Sequence, residues 1–342
     1  MIKPFIRVDF LEFSAALLND LVQTPFDDTD LPANFIVSLT SGPMDRVIVR
    51  FHGRHIEYLV PSDFPNPERR NTFTNRWLCT RPLFAAVKQL YPSLRGECQL
   101  WLDDRPSGPG LAFCGNAVSH VCIPDISYLT DGYGGKRRAI AAAMKPWASR
   151  LPKVFWRGAT TGYPRDPWKA IPRVKLCLKS REIASGETFD IGISQIVQVS
   201  DTKIEQEIIK SGICRGHCPE LSFMDYKFTI DIDGNSCSWG GLFTKLLMQN
   251  TIIKVDSPLG FRQWYYDKLV PWRNFVPLSS SMTELNEVAE WLLEHDDEAE
   301  QIAIRGRELA ECLTFEQVLL DVAPIIRDHV EATKMINIPE RV

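Results

Sequence analysis

The sequence predicts an α/β protein of two domains. Three observations carry that prediction. The chain has 342 residues, more than one simple hydrophobic core ordinarily serves. Its second half alternates strand-like apolar runs with Gly- or Ser-led turns and helical segments, the βαβ pattern of a parallel sheet. Its first half mixes short strand-like runs with turns and one clear helix. A boundary near residue 150 follows, giving an N-terminal domain over 1–150 and a C-terminal domain with terminal helices over 151–342.

The elements follow from local pattern. FIVSLT (35–40) and RVIVRF (46–51) flank Ser41-Gly42-Pro43-Met44-Asp45 and read as a hairpin or strand–turn–strand. Residues 81–94 have helical apolar spacing. CQLWLDD (98–104) is a strand ending in acidic residues, and 111–116 and 119–125 are two further short runs. Residues 134–153 form a basic helix closed by a Pro-containing linker. In the second half, strands are expected at 153–158, 189–196, 225–234 and 251–256, with helices at 203–213 and 238–250. Residues 283–332 read as long amphipathic helices.

Charge and composition narrow the function. Lys plus Arg number 39 and Asp plus Glu 43, so the net charge is 39 − 43 = −4. That argues against a nucleic-acid partner gripped by overall charge and leaves room for a local basic phosphate groove. Asp9, Glu12 and Asp20 interrupt the opening apolar run, which does not read as an export signal. No run of about 18 uncharged apolar residues offers a membrane span. The nine cysteines show no framework spacing and read as reduced thiols, and the expected address is cytoplasmic. The helix bearing Lys136, Arg137, Arg138 and Lys145 reads as a solvated basic face or as a peripheral contact with anionic lipid at the inner membrane face.

Three segments carry chemistry. Asp231 to Gly241 is a small-polar turn between a strand and a helix. It reads as a phosphate cradle built from backbone amides and the Ser236 and Ser238 hydroxyls, or as a plain N-capped βα turn. Arg157-Gly158 closes a strand. Its Arg reads as a pyrophosphate ligand or as a surface Arg paired with Asp166. Asp104, ahead of Arg105-Pro106, reads as a general base at a strand end or as a turn-forming Asp. Cys214 to Cys218 and the pair His52 and His55 lack the spacing of a metal site. The acidic run 294–298 reads as a solvated helix start, and Asp231-Ile232-Asp233 as a strand end.

In order along the chain, these pieces resemble family 90 of the glycosyltransferases, over residues 97–315 and most closely after 153. Val154-Phe155-Trp156-Arg157-Gly158, with Arg165-Asp166-Pro167, is similar to its aromatic-Arg-Gly segment. Tyr226-Lys227 with Asp231 to Ser238 is similar to its donor loop. Trp264-Tyr265-Tyr266, Pro271-Trp272 and Asn274 to Pro277 are similar to its third conserved segment. The resemblance implies a GT-B fold, two Rossmann-like domains facing a cleft, with the acceptor on the N-terminal side. It implies metal-independent, inverting transfer from a UDP-sugar, glucose or xylose, to a hydroxyl of a glycan or glycolipid such as lipopolysaccharide or capsule. No cofactor is implied beyond the UDP-sugar, which is a substrate. Asp104 is implied as the base, with Arg157, Gly158, Asn235, Ser236, Cys237, Ser238, Trp239 and Gly240 as donor-binding residues.

The chain departs from the animal members at Gly240, where they carry an Arg after the loop aromatic. Lys245 is the substitute cation. With base and donor site on opposite domains, interdomain closure is expected to assemble the site. Two other readings remain: a non-catalytic UDP-sugar- or glycan-binding module of the same fold, and a sugar-nucleotide enzyme of different chemistry. The absence of a G-x-G-x-x-G fingerprint opposes the second.

Overall fold

A computed structural model of the chain describes residues 13–23, 34–63, 66–183 and 187–336. Residues 1–12, where the export-signal reading begins, lie outside the described residues. The described chain falls into two compact units. One joins the residues up to 135 with those from 313 onward; the other spans 136–312.

The first unit contains α1 (Ala15–Gln23), β1 (Asn34–Thr40), β2 (Arg46–His52), β3 (His55–Pro61), α2 (Pro67–Leu78), α3 (Arg81–Leu90), β4 (Gly96–Trp101), β5 (Gly110–Ala112), β6 (His120–Cys122) and α4 (Ile126–Asp131). After α5 (Gly134–Ala143) at the junction, the second contains β7 (Leu151–Ala159), α6 (Pro172–Glu182), β8 (Phe189–Gln195), α7 (Thr202–Lys210), β9 (Tyr226–Asp231), α8 (Gly240–Leu247), β10 (Thr251–Val255), β11 (Val276–Leu278), α9 (Leu285–Glu294) and α10 (Asp296–Cys312). Helix α11 (Phe315–Ile336) returns to the first unit.

The first sheet runs β1-β3-β2-β4-β5-β6 and is mixed. Strand β1 is parallel to β3, while β2 is antiparallel to both β3 and β4. The expected hairpin between β1 and β2 therefore does not form. The hairpin lies one turn later, where Gly53 (φ 52°) supplies the left-handed backbone that a two-residue loop needs. Strand β3, absent from the sequence reading, is inserted between β1 and β2. Alternation sets the faces: Val47, Val49 and Phe51 of β2 and Ile56, Tyr58 and Val60 of β3 are buried. Arg50 of β2 instead pairs on the other face with Glu57 and Glu97, both at 3.2 Å. Helices α3 and α11 pack on each other, and α11 also packs on β4. That packing explains why the division near residue 150 is replaced by one at 135 with a returning C-terminal helix: the apolar stripe of α11, including Val318, Val322 and Ile326, is buried there.

The second sheet is parallel throughout, in the order β11-β10-β9-β7-β8. Counted from β7, this is the doubly wound order 2-1-3-4-5, whose winding reverses between β7 and β9. Ligands bind such sheets at the strand carboxyl ends beside that reversal. The strands are apolar because both faces are covered: Val154, Trp156, Ile191, Ile193, Phe228, Ile230 and Ile253 share one buried cluster on one face, and Phe155, Thr229 and Ile252 are buried on the other.

Cys79, Cys98, Cys122, Cys177, Cys214, Cys218 and Cys312 are free thiols, whereas Cys114 and Cys237 are disulfide-bonded. The reading of nine reduced thiols is corrected at these two positions. Thiol titration of denatured protein prepared without reductant is expected to count the seven free cysteines. After reduction it is expected to count all nine. Nine before reduction would remove the bridge.

Candidate functional site

A cavity of about 160 Å³ lies in the second unit, lined among others by Trp156, Arg157, Arg173, Ser238, Gly241 and Lys245. It sits where the strand order reverses. Trp156 to Gly158 come from the end of β7, Ile232 follows β9, and Gly241 begins α8. Its volume is below the ~300–1,000 Å³ of a whole small-molecule site. It therefore suits part of a ligand, such as a diphosphate. Gly158 is needed for its wall: a Cβ there would approach Trp156 Cζ2 to 2.6 Å.

Arg157 is partly buried, with 12% of its side chain exposed. Its partner is Asp190 of β8, not Asp166 as one sequence reading had it. Nη1 donates to the Asp190 carbonyl at 2.8 Å and to the Trp156 carbonyl at 3.0 Å, and Nη2 donates to Asp190 Oδ1. Burial opposes ionisation of Asp190, but the hydrogen bonds from Tyr226 and Arg157 more than offset it and hold its carboxyl below the ordinary range.

Behind the cavity lies a buried charge cluster. Asp231 ends β9 with no exposed surface. Its Oδ1 accepts from Ser238 Oγ at 2.6 Å and Lys245 Nζ at 3.2 Å; Lys254 Nζ stands 3.5 Å from Oδ2. Burial pushes its carboxyl up, yet the two lysines and the Ser238 hydroxyl prevail and its pKa falls below the ordinary value. Burial lowers the Lys245 ammonium against the pull of Asp231. Burial pushes Asp233 up to about 6, an effect that Ser257, Lys254 and Arg173 only partly offset. Arg173, near the start of α6, donates through Nε to the Asp233 carbonyl at 2.9 Å and through Nη1 to Thr161 Oγ1 at 2.7 Å. Nothing in the local sequence marks Arg173 or Asp190 as site residues; only sheet order brings Asp190 to β7.

Of the expected donor-site residues, Arg157, Gly158, Ser238 and Lys245 line the cavity together. Asn235, Ser236, Cys237, Trp239 and Gly240 belong to the adjoining loop and are not among its lining residues. Asn235 Oδ1 accepts from Arg165 at 3.3 Å. Ser236 is buried, and its Oγ has no hydrogen-bond partner among the described residues. Cys237 is buried and disulfide-bonded, so it offers no thiol to a ligand. Trp239 precedes α8 at φ 52°, a conformation that costs a non-glycine residue about 1–3 kcal/mol and is characteristic of functional turns. Gly240 opens the helix, and its carbonyl accepts from Thr244 Oγ1 at 2.7 Å.

Asp104 lies in the first unit. Strand β4 ends at Trp101, so Asp103 and Asp104 stand in the bend beyond it. Partners distinguish them: Asp104 pairs with Arg76 at 2.8 Å with 22% of its side chain exposed, and Asp103 with Arg69 at 2.9 Å with 43% exposed. Asp125 is buried as the N-cap of α4 and accepts from the Tyr133 hydroxyl at 2.9 Å. In the basic helix region, Lys136 pairs with Glu220, Lys145 with Asp225, and Arg137 donates to the Ala310 carbonyl. Lys227 and the Trp264–Tyr266 segment serve packing. Lys227 pairs with Asp296 at 2.7 Å, and Tyr265 packs edge-on to Phe243 at 5.4 Å. Among the described residues, no group of three or more His, Cys, Asp or Glu side chains is arranged to hold a metal ion, and no helix is long and apolar enough to cross a membrane.

Comparison with known proteins gives the family. Protein O-glucosyltransferase 3 of Rattus norvegicus is 27% identical over 207 residues, covering 58% of this chain and 37% of its own length. Protein O-glucosyltransferase 2 of Danio rerio is 27% identical over 165 residues, covering 48% of this chain and 29% of its own. The chain thus spans well under half the length of these curated relatives. Among solved structures, Anabaena HepE in complex with UDP and glucose aligns at TM-score 0.37 and 9% identity, covering 56% of this chain and 52% of that one. The family description Glycosyl transferase family 90 matches residues 108–328, which begins just beyond Asp104, takes in every residue lining the cavity and covers more than half of the chain, and the chain belongs to that family.

Proposed function

We propose that the chain is a GT-B glycosyltransferase that moves a sugar from a UDP-sugar to a hydroxyl, with inversion and without a metal ion. The observation that carries this reading is the cavity at the sheet's switch point, lined by Arg157, Arg173 and Lys245 beside the start of α8. The diphosphate takes this cavity. As the bond to the anomeric carbon breaks, the β-phosphate gathers negative charge, and cations already fixed in place stabilise it without reorganising. The two lysines on Asp231 disfavour a divalent cation at Asp231-Ile232-Asp233. Asn235 to Gly240 complete the donor loop, and Asp104 takes the acceptor proton as the new bond forms. The names of the relatives support glucose as the sugar and a protein hydroxyl as acceptor more than lipopolysaccharide or capsule. The bridged cysteines favour an oxidising compartment.

Calorimetric titration with UDP in the presence of chelator is expected to show binding. Arg157→Ala is expected to weaken it by about 1.5–3 kcal/mol, the range for a charge-assisted hydrogen bond. Binding that is lost in chelator and restored by manganese would overturn the metal-independent reading.

Lys245→Ala is expected to lower UDP affinity and also to cost about 3–5 kcal/mol of stability, because it leaves the buried Asp231 carboxylate short of a partner. Chemical denaturation checks this. Asp231→Asn in the Lys245→Ala background is expected to recover part of the stability and none of the affinity.

Asp104→Asn is expected to lower kcat by about 10²–10⁴-fold while UDP affinity stays unchanged. Asp103→Asn, at the more exposed pair, is expected to be mild. Turnover or UDP release measured for both variants decides; an active Asp104→Asn enzyme would place the base elsewhere.

A further inference from the structure

We infer that Asp190 is a positioning residue for the donor: with the Tyr226 hydroxyl, it fixes the Arg157 guanidinium so that one donor edge stays free for an oxyanion. The inference rests on the donor-site reading above. An arginine carries five N–H donors. On Arg157, both Nη1 donors are used, by the Trp156 and Asp190 carbonyls at 3.0 and 2.8 Å, and one Nη2 donor is used by Asp190 Oδ1. The Nε–H and the second Nη2–H have no partner among the described residues. Side by side, these two form the fork that binds a phosphate oxygen pair.

Three contacts lock the fork. Asp190 contributes both its carbonyl and its carboxylate, so the guanidinium plane is held at two points. The second carboxylate oxygen accepts from Tyr226 Oη at 2.6 Å, which prevents the carboxylate from turning away. The guanidinium lies over the Phe155 ring at 4.8 Å, and that ring is stacked on Tyr226 at 4.0 Å. The contacts come from three neighbouring strands: β7 supplies Arg157 and Phe155, β8 Asp190, and β9 Tyr226. A carboxylate beside a phosphate ligand would be a repulsive neighbour if it were mobile. Held against Arg157, it instead lowers the entropy lost when the diphosphate binds.

Two readouts test the assignment. The first is phenylglyoxal labelling of Arg157, followed by peptide mass spectrometry. Asp190→Ala and Asp190→Asn are expected to raise the labelling rate several-fold, and Tyr226→Phe less. The second is UDP titration in a double-mutant cycle. Asp190→Ala is expected to weaken UDP about tenfold in the parent and less than about twofold in the Arg157→Ala background, because the residue acts through Arg157. A merely structural role would lower affinity equally in both backgrounds. Unchanged labelling, tighter UDP binding in Asp190→Ala, or a loss that persists in Arg157→Ala would each overturn the inference. If the parent protein binds no UDP, the donor-site reading fails, and the labelling readout still decides whether Asp190 fixes Arg157.

Discussion

The Asp231 carboxylate, buried at the end of β9 between two lysines, is the interaction on which the second unit's functional edge depends. It joins three neighbouring pieces of chain: β9 itself, the loop and helix that carry Ser238 and Lys245, and β10, which carries Lys254. A lone carboxylate in that position would carry a large desolvation cost. Two ammonium groups and a hydroxyl offset it, and in doing so they fix the turn from Gly234 to Trp239. Arg157, Arg173 and Lys245 line the cavity together with Glu220, whose carboxylate is paired with Lys136 at 2.7 Å. Asp233, pushed up to about 6 by burial, adds little negative charge under mildly acidic conditions.

Topology decides where that charge is presented. In the order 2-1-3-4-5, successive connections leave β7 and β9 in opposite directions, and no crossover helix covers the gap between their carboxyl ends. Trp156 fills the floor of the gap, and Gly158 permits it by carrying no side chain against the indole. The cations therefore meet at a concave site, not on a flat surface. Asp190 and Tyr226 extend the same logic sideways, since neighbouring strands in register bring them to Arg157 from β8 and β9.

The first unit is organised by a different constraint. Its mixed sheet buries one face under α3 and α11, and the opposite face carries the Arg50, Glu57 and Glu97 pairs. A helix that starts at Phe315 completes a core begun before residue 100. Asp104 and Asp103 stand beyond β4, held by arginines of α2, so their difference lies in the partners they find and not in strand alternation.

Period and turn chemistry were sufficient, in the sequence alone, for the α/β class, for strands β7 to β10 and for α7 and α8, since each is an apolar run or stripe bounded by Gly, Ser or Asp. They also marked Arg157, Gly158 and Ser238, which sit in or next to turns, whereas Lys245 entered only through the family resemblance. Tertiary structure alone decided the rest. The pairing of β3 between β1 and β2 and the return of α11 are contacts between distant positions that no local pattern encodes. Asp190 joined the site for the same reason: a side chain's partners across a parallel sheet are set by strand order, and strand order is a property of the packed chain.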